Sequence, residues 1–475
     1  MKIKHQELEI DQDKPFKNCK LNREPYAHIL TDIVQNYADG FVLALTSEWG
    51  TGKTTFVKMW RQHLHTKGFQ TAYFNAWEND FDSNPMIALM SELKPPSKAP
   101  IAKTRAFNSV VKKGAVLAKN VFPALAKAVA SKHMDSDVFI EAISGTVKAA
   151  TDIFEDEMKQ YATKKKTISE FRVELQKFVK EKNNNKPLVF IVDELDRCRP
   201  NYSVEVLEQV KHFFSVPGIV FVLSIDKKHL ASAVTGFYNS TNINTEEYLR
   251  RFIDLEYSIP QPSNRDFCNY LYGYFGLDEY FTESRAQRYP EVGSDAPTLL
   301  ETAYILFDTH AGTLRQQENI FAQSRLILST FKEDQYTFAP LLFALIFVKT
   351  MKNDLFQKIQ NNKLTCQSLY DEFTDLIPIF LRNEYNLDLT KVLAHLLHFY
   401  NNKQPHEFRT QLLVRVPELN HVMTTSIQTK IEHNQQDLAQ ALQQVTKHIK
   451  YSGTSLDYLL TKIRLTQRFL SKAKT

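Results

Sequence analysis

A glycine-rich turn that ends in a lysine and two threonines carries the clearest chemistry in this sequence. It comprises Ser47, Trp49, Gly50, Thr51, Gly52, Lys53, Thr54 and Thr55. Glycines let backbone N–H groups curl around phosphate oxygens, and the start of a following helix adds partial positive charge. Lys53 would reach the β- and γ-phosphates of a nucleoside triphosphate, and the Thr54 hydroxyl would bind Mg²⁺. The segment therefore predicts a phosphate-binding loop.

Two positions in this loop leave alternatives open. Ser47 stands where the usual GxxxxGK[ST] pattern has its first glycine, and it fits only if the backbone dihedral angles there permit a side chain. Trp49 is expected to pack beneath the loop, and stacking on a nucleotide base is the alternative. A glycine-rich turn without any ligand is disfavoured, because a Lys-Thr pair at a helix start has little structural purpose without an anion.

A second chemical feature is an apolar segment, residues 188–192, that ends in the carboxylates of Asp193 and Glu194. Asp193 would hold the water shell of Mg²⁺, and Glu194 would orient and deprotonate an attacking water. Two carboxylates after a strand often lie only in a solvated loop. In a chain that also has a phosphate loop, they more strongly indicate a Mg²⁺ site. Asp196 and Arg197 follow, either pairing with each other or facing the nucleotide of a neighbouring subunit.

Buried strands alternating with helices must position these groups. Apolar β-branched segments without clean alternation indicate parallel strands that are covered on both faces, and helices between them indicate βαβ units of an α/β fold. The predicted strands are Phe41–Thr46, Gln70–Asn75, Leu188–Val192, Ile219–Ile225 and Asp254–Ile259.

About a hundred residues separate the second and third predicted strands, so the sequence predicts a helical insertion at about residues 95–182. Lys112, Lys113, Lys119 and Lys127 interrupt every stretch of it that is long enough to span a membrane. A soluble docking element and an amphipathic helix on a membrane surface both remain open. Beyond Pro262 the strand signals fade, and residues 264–475 are predicted to be mostly helical.

Four motifs together resemble the KAP family of P-loop NTPases, over roughly residues 10–330. The first two are Trp49-Gly50-x-Gly52-Lys53-Thr54 and Phe74-Asn75-Ala76-Trp77. The others span residues 192–200 and 248–260. Trp77 closes the second strand and is expected to pack on the sheet.

The resemblance implies an additional-strand P-loop NTPase core, with a central parallel sheet in 5-1-4-3-2 order. It also implies an NTPase domain over residues 1–330, with lid helices at about 263–330. A helical C-terminal domain at 331–475 would follow, with the boundary near residues 330–336.

The resemblance also implies further site residues. Ser224 or Asp226 would act as a polar sensor of the γ-phosphate, although Asp226 equally suits a helix N-cap. Asn22 and Arg23 lie where family members wrap the base, with an N-cap at Asn22 as the alternative. Arg250 or Arg251 resembles an arginine finger that acts on a neighbouring subunit, and Arg315 resembles the sensor arginine of the lid.

The amino-acid composition limits which partners and which cellular compartment fit this sequence. With 59 Lys and Arg against 54 Asp and Glu, the formal charge of +5 does not indicate a nucleic-acid partner by itself. The segment 446–475 is locally basic, which leaves nucleic acid open, although a solvated helix face explains it equally simply. Four widely spaced cysteines and no apolar leader favour reduced thiols in a cytoplasmic protein.

These observations favour an NTP hydrolase that uses Mg²⁺ and whose turnover drives assembly or signalling, with ATP as the favoured substrate and GTP as the alternative. A nucleotide-binding scaffold without hydrolysis and a nucleic-acid motor are the alternatives. The family resemblance implies self-association and makes a role in bacterial antiphage defence plausible, with a partner protein encoded in the same operon.

Overall fold

The computed structural model describes fourteen ranges of the chain. They are residues 8–37, 39–81, 84–95, 101–131, 147–181, 186–239, 243–281, 292–310, 312–332, 335–377, 387–415, 423–429, 432–447 and 453–472. The chain divides into two compact units, residues 7–260 and residues 261–475. The predicted domain boundary near residue 330 lies inside the second unit and stays a prediction, and parts of the predicted insertion, boundary and basic tail fall outside the described residues.

The first unit is built on a five-stranded parallel sheet with the strand order β2-β3-β4-β1-β5. Read from the other edge, this is the predicted 5-1-4-3-2 order, which is confirmed. All five predicted strands are present within a residue or two of their expected bounds. The strands are β1 (Val42–Thr46), β2 (Gln70–Asn75), β3 (Leu188–Asp193), β4 (Ile219–Ile225) and β5 (Leu255–Ser258).

Helices cover both faces of this sheet. They are α1 (Glu24–Asn36), α2 (Lys53–Thr66), α3 (Pro85–Ser91), α4 (Ile101–Ser131), α5 (Val147–Lys180), α6 (Pro200–Gln209), α7 (Lys227–Tyr238) and α8 (Thr245–Arg250). Alternate residues of each strand point to opposite faces. Leu43, Leu45, Ile191 and Val222 therefore share a buried cluster with α1 and α2, whereas Phe190 and Phe221 belong to the cluster that includes the insertion helices.

The insertion is a pair of antiparallel helices, α4 and α5. The Lys113 ammonium lies 2.7 Å from the Glu170 carboxylate, and the Ser109 hydroxyl donates to Glu174 at 2.7 Å. Phe107 packs on Phe178, with ring centroids 5.8 Å apart. Within the residues that the structure describes, no helix combines the length and the apolar character needed to traverse a bilayer.

The second unit is mostly helical, as predicted. Its helices are α9 (Asn264–Tyr274), α10 (Leu277–Tyr280), α11 (Val292–Thr309), α12 (Leu314–Leu328), α13 (Ala339–Met351), α14 (Asn353–Gln360), α15 (Cys366–Thr374), α16 (Leu387–Lys403), α17 (Glu432–Lys447) and α18 (Asp457–Lys472). Phe343 of the apolar helix α13 packs between Phe307 and Phe321, at centroid distances of 6.2 and 5.0 Å.

This unit also contains an antiparallel strand pair, β6 (Leu413–Arg415) and β7 (Met423–Thr425), which the sequence analysis did not predict. The reason is length. Three residues are too few for the alternation of apolar and polar side chains to identify a strand.

Gly40, just before β1, is a position where the fold excludes any side chain. Its φ is +93°, and a Cβ there would lie 2.8 Å from the carbonyl oxygens of both Val216 and Ile219. Those oxygens belong to the backbone, so they cannot move aside cheaply. Glycine is therefore required here, because the segment before β1 packs closely against the backbone at the start of β4.

We predict that Gly40→Ala lowers the free energy of unfolding by roughly 1–3 kcal/mol, as overpacked sites do. Gly236→Ala is the matched control in the same unit, because a Cβ there meets only Pro200 at 3.5 Å and helix α7 tolerates it. The control should stabilise by about 0.5–1 kcal/mol. Denaturant unfolding of both variants measures the difference, and equal midpoints would contradict the prediction.

Candidate functional site at the carboxyl ends of the strands

The phosphate loop connects the interior strand β1 to helix α2. Gly50 and Gly52 adopt φ angles of +81° and +78°, which L side chains disfavour. Ser47 is not among the residues with positive φ, so its backbone accommodates a side chain where the usual pattern has glycine. Ser47 therefore meets the condition that the sequence set for it, which is a backbone conformation that permits a side chain.

Hydroxyl groups close the loop from inside. The Ser47 hydroxyl donates to the Thr51 hydroxyl at 2.6 Å, and the Thr51 hydroxyl donates to the Glu48 carbonyl at 2.8 Å. The serine in place of glycine therefore adds a bond across the loop. These two hydrogen bonds hold the turn in a compact form.

Arg23 holds the same loop from outside. Its guanidinium donates to the carbonyl of Thr51 at 2.6 Å and to that of Gly52 at 3.3 Å, and the residue is 2% exposed. Burial lowers the pKa of this guanidinium. Because Arg23 binds loop carbonyls, it positions the backbone that would cradle phosphate, and base wrapping by Arg23 stays a prediction.

Asn22 lies beside it with a left-handed φ of 48° and an exposed side chain. Helix α1 has Arg23 as its N-cap residue, without a side-chain capping bond. The alternative reading of Asn22 as the N-cap is therefore wrong, and its predicted contact with a nucleotide base stays a prediction.

Lys53 folds back over the loop as the first residue of α2. Its ammonium donates to the Ser47 carbonyl and, at 3.2 Å, to the Glu48 carbonyl. Burial lowers its pKa, and the carboxylates of Asp196, Asp226 and Asp193, in that order, act in the opposite direction. A buried cation among loop carbonyls is well placed to exchange those bonds for phosphate oxygens. Thr54 and Thr55 follow it, half-buried.

Asp193 is the last residue of strand β3, which lies between β2 and β4 in the sheet. It is 1% exposed, and its two oxygens accept from the Tyr73 hydroxyl and the Glu194 backbone N–H, both at 3.0 Å. Asp193 is in register with Asn75 on one side and Ser224 on the other. Its place in the strand puts it on the same face as α2, so β3 directs this carboxylate toward the phosphate-loop helix.

Glu194 has a backbone conformation that glutamate rarely adopts, with φ 60° and ψ 25°. Burial raises the pKa of its carboxyl, Arg197 lowers it, and a hydrogen bond from Asn75 also lowers it. The Arg197 guanidinium lies 3.0 Å from the carboxylate. Partly buried carboxyls on strained backbone concentrate at functional sites, which fits the predicted general base.

The two sensor candidates on β4 differ in their surroundings. The Ser224 hydroxyl is buried, and in the described part of the chain it has no hydrogen-bond partner. Asp226 caps helix α7, accepting from the backbone N–H groups of Lys228 at 3.0 Å and His229 at 3.4 Å. The capping alternative for Asp226 is thus observed. A sensor role for either residue stays a prediction.

Trp49 connects the loop to the segments that follow β3 and β4 instead of packing beneath it. Its indole N–H donates to the Asp196 carboxylate, and its ring stacks on His229 at 3.6 Å and 16°. The His229 imidazole in turn lies 3.0 Å from the Asp226 carboxylate. Trp49 is 41% exposed, so its predicted contact with nucleotide stays a prediction.

Of the two alternatives for Asp196 and Arg197, a pair between them is not observed, and a contact with the nucleotide of a neighbouring subunit stays a prediction. Asp196 binds the Trp49 indole, whereas Arg197 pairs with Glu194 and lies over the ring of Trp77, 5.6 Å from its centroid. Trp77 is 55% exposed, so the expectation that it packs on the sheet is wrong. The physical reason is that Trp77 lies in the turn after β2, where its side chain no longer faces the helices that cover the sheet.

The three arginine candidates are all exposed. Arg250 lies 3.6 Å from Glu247 at the end of α8, and Arg251 follows it, just before the edge strand β5. Arg315 lies in the second unit, in the first turn of α12. Catalytic roles for Arg251 and Arg315 stay predictions.

Sequence reasoning missed the site positions of Tyr73, Asn75 and His229. The signal for Tyr73 and Asn75 was the alternation of side chains along β2, which places both residues on the sheet face where Asp193 lies. For His229 the signal was an Asp-x-x-His spacing at the start of a helix, which brings the two side chains together.

The donor set fits Mg²⁺ and a triphosphate. The Thr54 hydroxyl and the Asp193 carboxylate are the hard oxygen ligands that Mg²⁺ prefers, and the unpartnered Ser224 hydroxyl lies in register with Asp193. Among the described residues, no group of three His, Cys, Asp or Glu side chains could hold a metal alone. Phosphate oxygens and water would therefore complete the coordination, as in sites where the metal arrives with its nucleotide.

Comparison with solved structures returns the ORC2 protein of Aeropyrum pernix, solved as ADPNP–ADP complexes. It is 12% identical, with a TM-score of 0.34, over 89% of this chain and 94% of that one. A search among curated protein sequences gave no match. The family model for the KAP family P-loop domain matches residues 23–370, which is more than half of the chain and includes the phosphate loop and both strand-end carboxylates. The chain therefore belongs to the KAP family of P-loop NTPases.

Proposed function

We propose that the chain is a Mg²⁺-dependent ATPase whose turnover drives assembly or signalling. The observation that supports this best is Glu194, a partly buried carboxyl with strained backbone, next to the buried carboxylate of Asp193. A module that only binds nucleotide has no need of a second carboxylate there. Mg²⁺, when bound, would neutralise charge between the β- and γ-phosphates.

In this proposal each residue of the chain has a distinct task. Lys53 leaves the Ser47 and Glu48 carbonyls for the phosphates, and the backbone held by Arg23 surrounds them. Glu194 accepts a proton from the attacking water as the bond between the β-phosphate bridge oxygen and the γ-phosphorus breaks, giving ADP and phosphate. Trp49 keeps the loop tied to the strand ends during the exchange.

A nucleotide-binding scaffold without hydrolysis is the second candidate. The observation that favours it is the Arg197–Glu194 ion pair at 3.0 Å, which occupies the proposed base. Arg197 is partly exposed and also lies over the Trp77 ring, so it can keep that contact when Glu194 binds the attacking water. We therefore favour hydrolysis, with this pair broken during turnover.

We predict that Lys53→Ala loses ATP binding or hydrolysis while the chain stays folded. The lysine balances phosphate charge, and its present partners are two loop carbonyls that water can satisfy. Fluorescent-nucleotide titration and phosphate release measure the effect, with circular dichroism as the check on folding. Near-wild-type turnover in the folded variant would contradict the assignment.

We predict that Glu194→Gln keeps ATP bound but slows hydrolysis by at least ~100-fold, because general bases contribute that much or more. The amide preserves shape and removes only the proton acceptor. Steady-state phosphate release and nucleotide affinity are measured on the same preparation. Loss of affinity would instead make Glu194 a binding residue, and unchanged turnover would remove it from the reaction.

Self-association is the basis of a further proposal. Edge strand β5 is largely exposed, and Arg251 precedes it with an exposed side chain. We propose that ATP and Mg²⁺ promote assembly in which Arg251 acts on the neighbouring chain, with Arg315 as the alternative within one chain. An antiphage role, a partner protein from the same operon and a cytoplasmic location rest on the family resemblance and the composition alone.

We predict that Arg251→Ala is inactive alone and is rescued by mixing with Lys53→Ala, because each chain supplies what the other lacks. An arginine acting in trans is worth up to ~10³–10⁵ in rate. Specific activity of the wild type should rise with protein concentration. A flat specific activity from nanomolar to micromolar protein, without rescue, would favour a self-contained site that uses Arg315.

A further inference from the structure

The Tyr73 side chain contacts the Asp193 carboxylate from the neighbouring strand. Its hydroxyl donates to one carboxylate oxygen at 3.0 Å, while the backbone N–H of Glu194 donates to the other oxygen, also at 3.0 Å. Asp193 is 1% exposed. The two oxygens of this buried carboxylate are therefore held by two donors, which come from strands β2 and β3.

Two donors constrain a carboxylate more than one donor does. The last torsion of an aspartate side chain is broad and roughly two-fold, so a rotamer preference alone does not fix the carboxylate plane. A single donor to one oxygen leaves the plane able to turn about that contact. A second donor on the other oxygen fixes the plane, and each oxygen keeps a further lone-pair direction for other partners.

The strand register brings the Tyr73 hydroxyl to this place. Tyr73 is paired with Ile191, and Asn75 is paired with Asp193. Tyr73 and Asp193 therefore lie on the same face of two parallel strands, two positions apart along the strand direction. Two positions span about 6–7 Å, which the long side chain of tyrosine bridges and a shorter hydroxyl side chain does not.

Helix α2 and the core hold the Tyr73 ring in position. The Arg61 guanidinium lies over the ring, 5.4 Å from its centroid, and the Arg61 Nε donates to the Thr71 hydroxyl at 3.2 Å. Thr71 and Tyr73 share a face of β2 because they are two residues apart. The ring also packs against the buried cluster that includes Ile191. The hydroxyl is therefore placed by contacts that do not involve Asp193.

We propose that Tyr73 is a positioning residue for Mg²⁺, because its hydroxyl orients the Asp193 carboxylate toward the metal. This role rests on the proposed function, in which Asp193 serves the metal that arrives with ATP. Tyr73 acts through Asp193 and is not itself a ligand. Donors behind a ligating carboxylate typically contribute 10–100-fold to metal affinity or activity.

A positioning role predicts a difference between two cations. Mg²⁺ demands near-ideal octahedral geometry, whereas Ca²⁺ accepts flexible geometry and more ligands. An Asp193 carboxylate that is free to turn should therefore weaken Mg²⁺ more than Ca²⁺. General damage to the packing around Tyr73 should instead weaken both cations alike, so the ratio of the two separates positioning from a merely structural role.

The test measures metal-dependent nucleotide binding by the full-length chain. The probe is a fluorescent, non-hydrolysable ATP analogue, which is titrated in Mg²⁺, in Ca²⁺ and in EDTA. Tyr73→Phe should raise the Mg²⁺ concentration for half-maximal binding by about tenfold or more. The corresponding Ca²⁺ concentration should rise by less than about threefold. In EDTA the affinity of the analogue should change by less than about twofold, because no ligand is then present for Asp193 to orient.

Tyr238→Phe is the matched control for the loss of a tyrosine hydroxyl. Tyr238 is half-buried in the same unit, and its hydroxyl donates to the Tyr248 hydroxyl at 3.4 Å. The control removes a hydroxyl contact of the same kind but none to Asp193, so both metal concentrations should stay within about twofold of the wild type. Tyr73→Phe keeps the ring under Arg61, and thermal unfolding checks that both variants fold.

The results separate the role of Tyr73 from the ATPase proposal. Three outcomes would overturn the role of Tyr73 alone: an unchanged Mg²⁺ dependence in Tyr73→Phe, an equal rise for Mg²⁺ and Ca²⁺, or the same change in Tyr238→Phe. Mg²⁺-dependent binding without hydrolysis in the wild type would overturn the ATPase proposal, and the titrations would still decide the role of Tyr73. A wild-type chain that binds no nucleotide, or binds it independently of Mg²⁺, would overturn both.

Discussion

The register of the parallel strands is the constraint on which the rest of the site depends. Because β1, β3 and β4 run in the same direction, their carboxyl ends meet at one edge of the sheet. Asp193 is paired with Ser224, which is paired with Leu45, just before the phosphate loop. A slip of one residue would turn Asp193 to the other face. Burial of β3 and β4 on both faces makes such a slip costly, so the core holds the candidate site residues in place.

Side chains around the phosphate loop then stabilise a form ready for phosphate. Arg23 binds its carbonyls from outside, the Ser47–Thr51 hydroxyl pair closes it from inside, and Trp49 ties it to Asp196. Together these bonds order the loop, and Ser47 contributes one of them at the position where the usual pattern has glycine. The loop is therefore arranged in advance, which reduces the entropy lost when a nucleotide is bound.

Two cations in this site are held by groups that they would leave during turnover. Lys53 binds loop carbonyls, and Arg197 pairs with the proposed base, Glu194. Both contacts satisfy charge in partly buried surroundings, where unpaired charge is costly. The ion pair with Arg197 explains how the chain keeps a partly buried carboxyl on strained backbone. Nucleotide binding would then rearrange both of these contacts.

What the sequence determined by itself was local chemistry and strand identity. The phosphate loop, the carboxylate pair and the five strands follow from residue type and apolar patterning within short segments, and the strand order followed from the family resemblance. The tertiary structure decided the partners. Trp49 stacks on His229, Tyr73 reaches Asp193, and Arg197 pairs with Glu194 while Trp77 lies exposed. The first two contacts join segments about 120 residues or more apart in the chain. Spacing in a single sequence cannot specify which distant side chains meet, because that depends on how the strands align and on how each turn leaves the sheet.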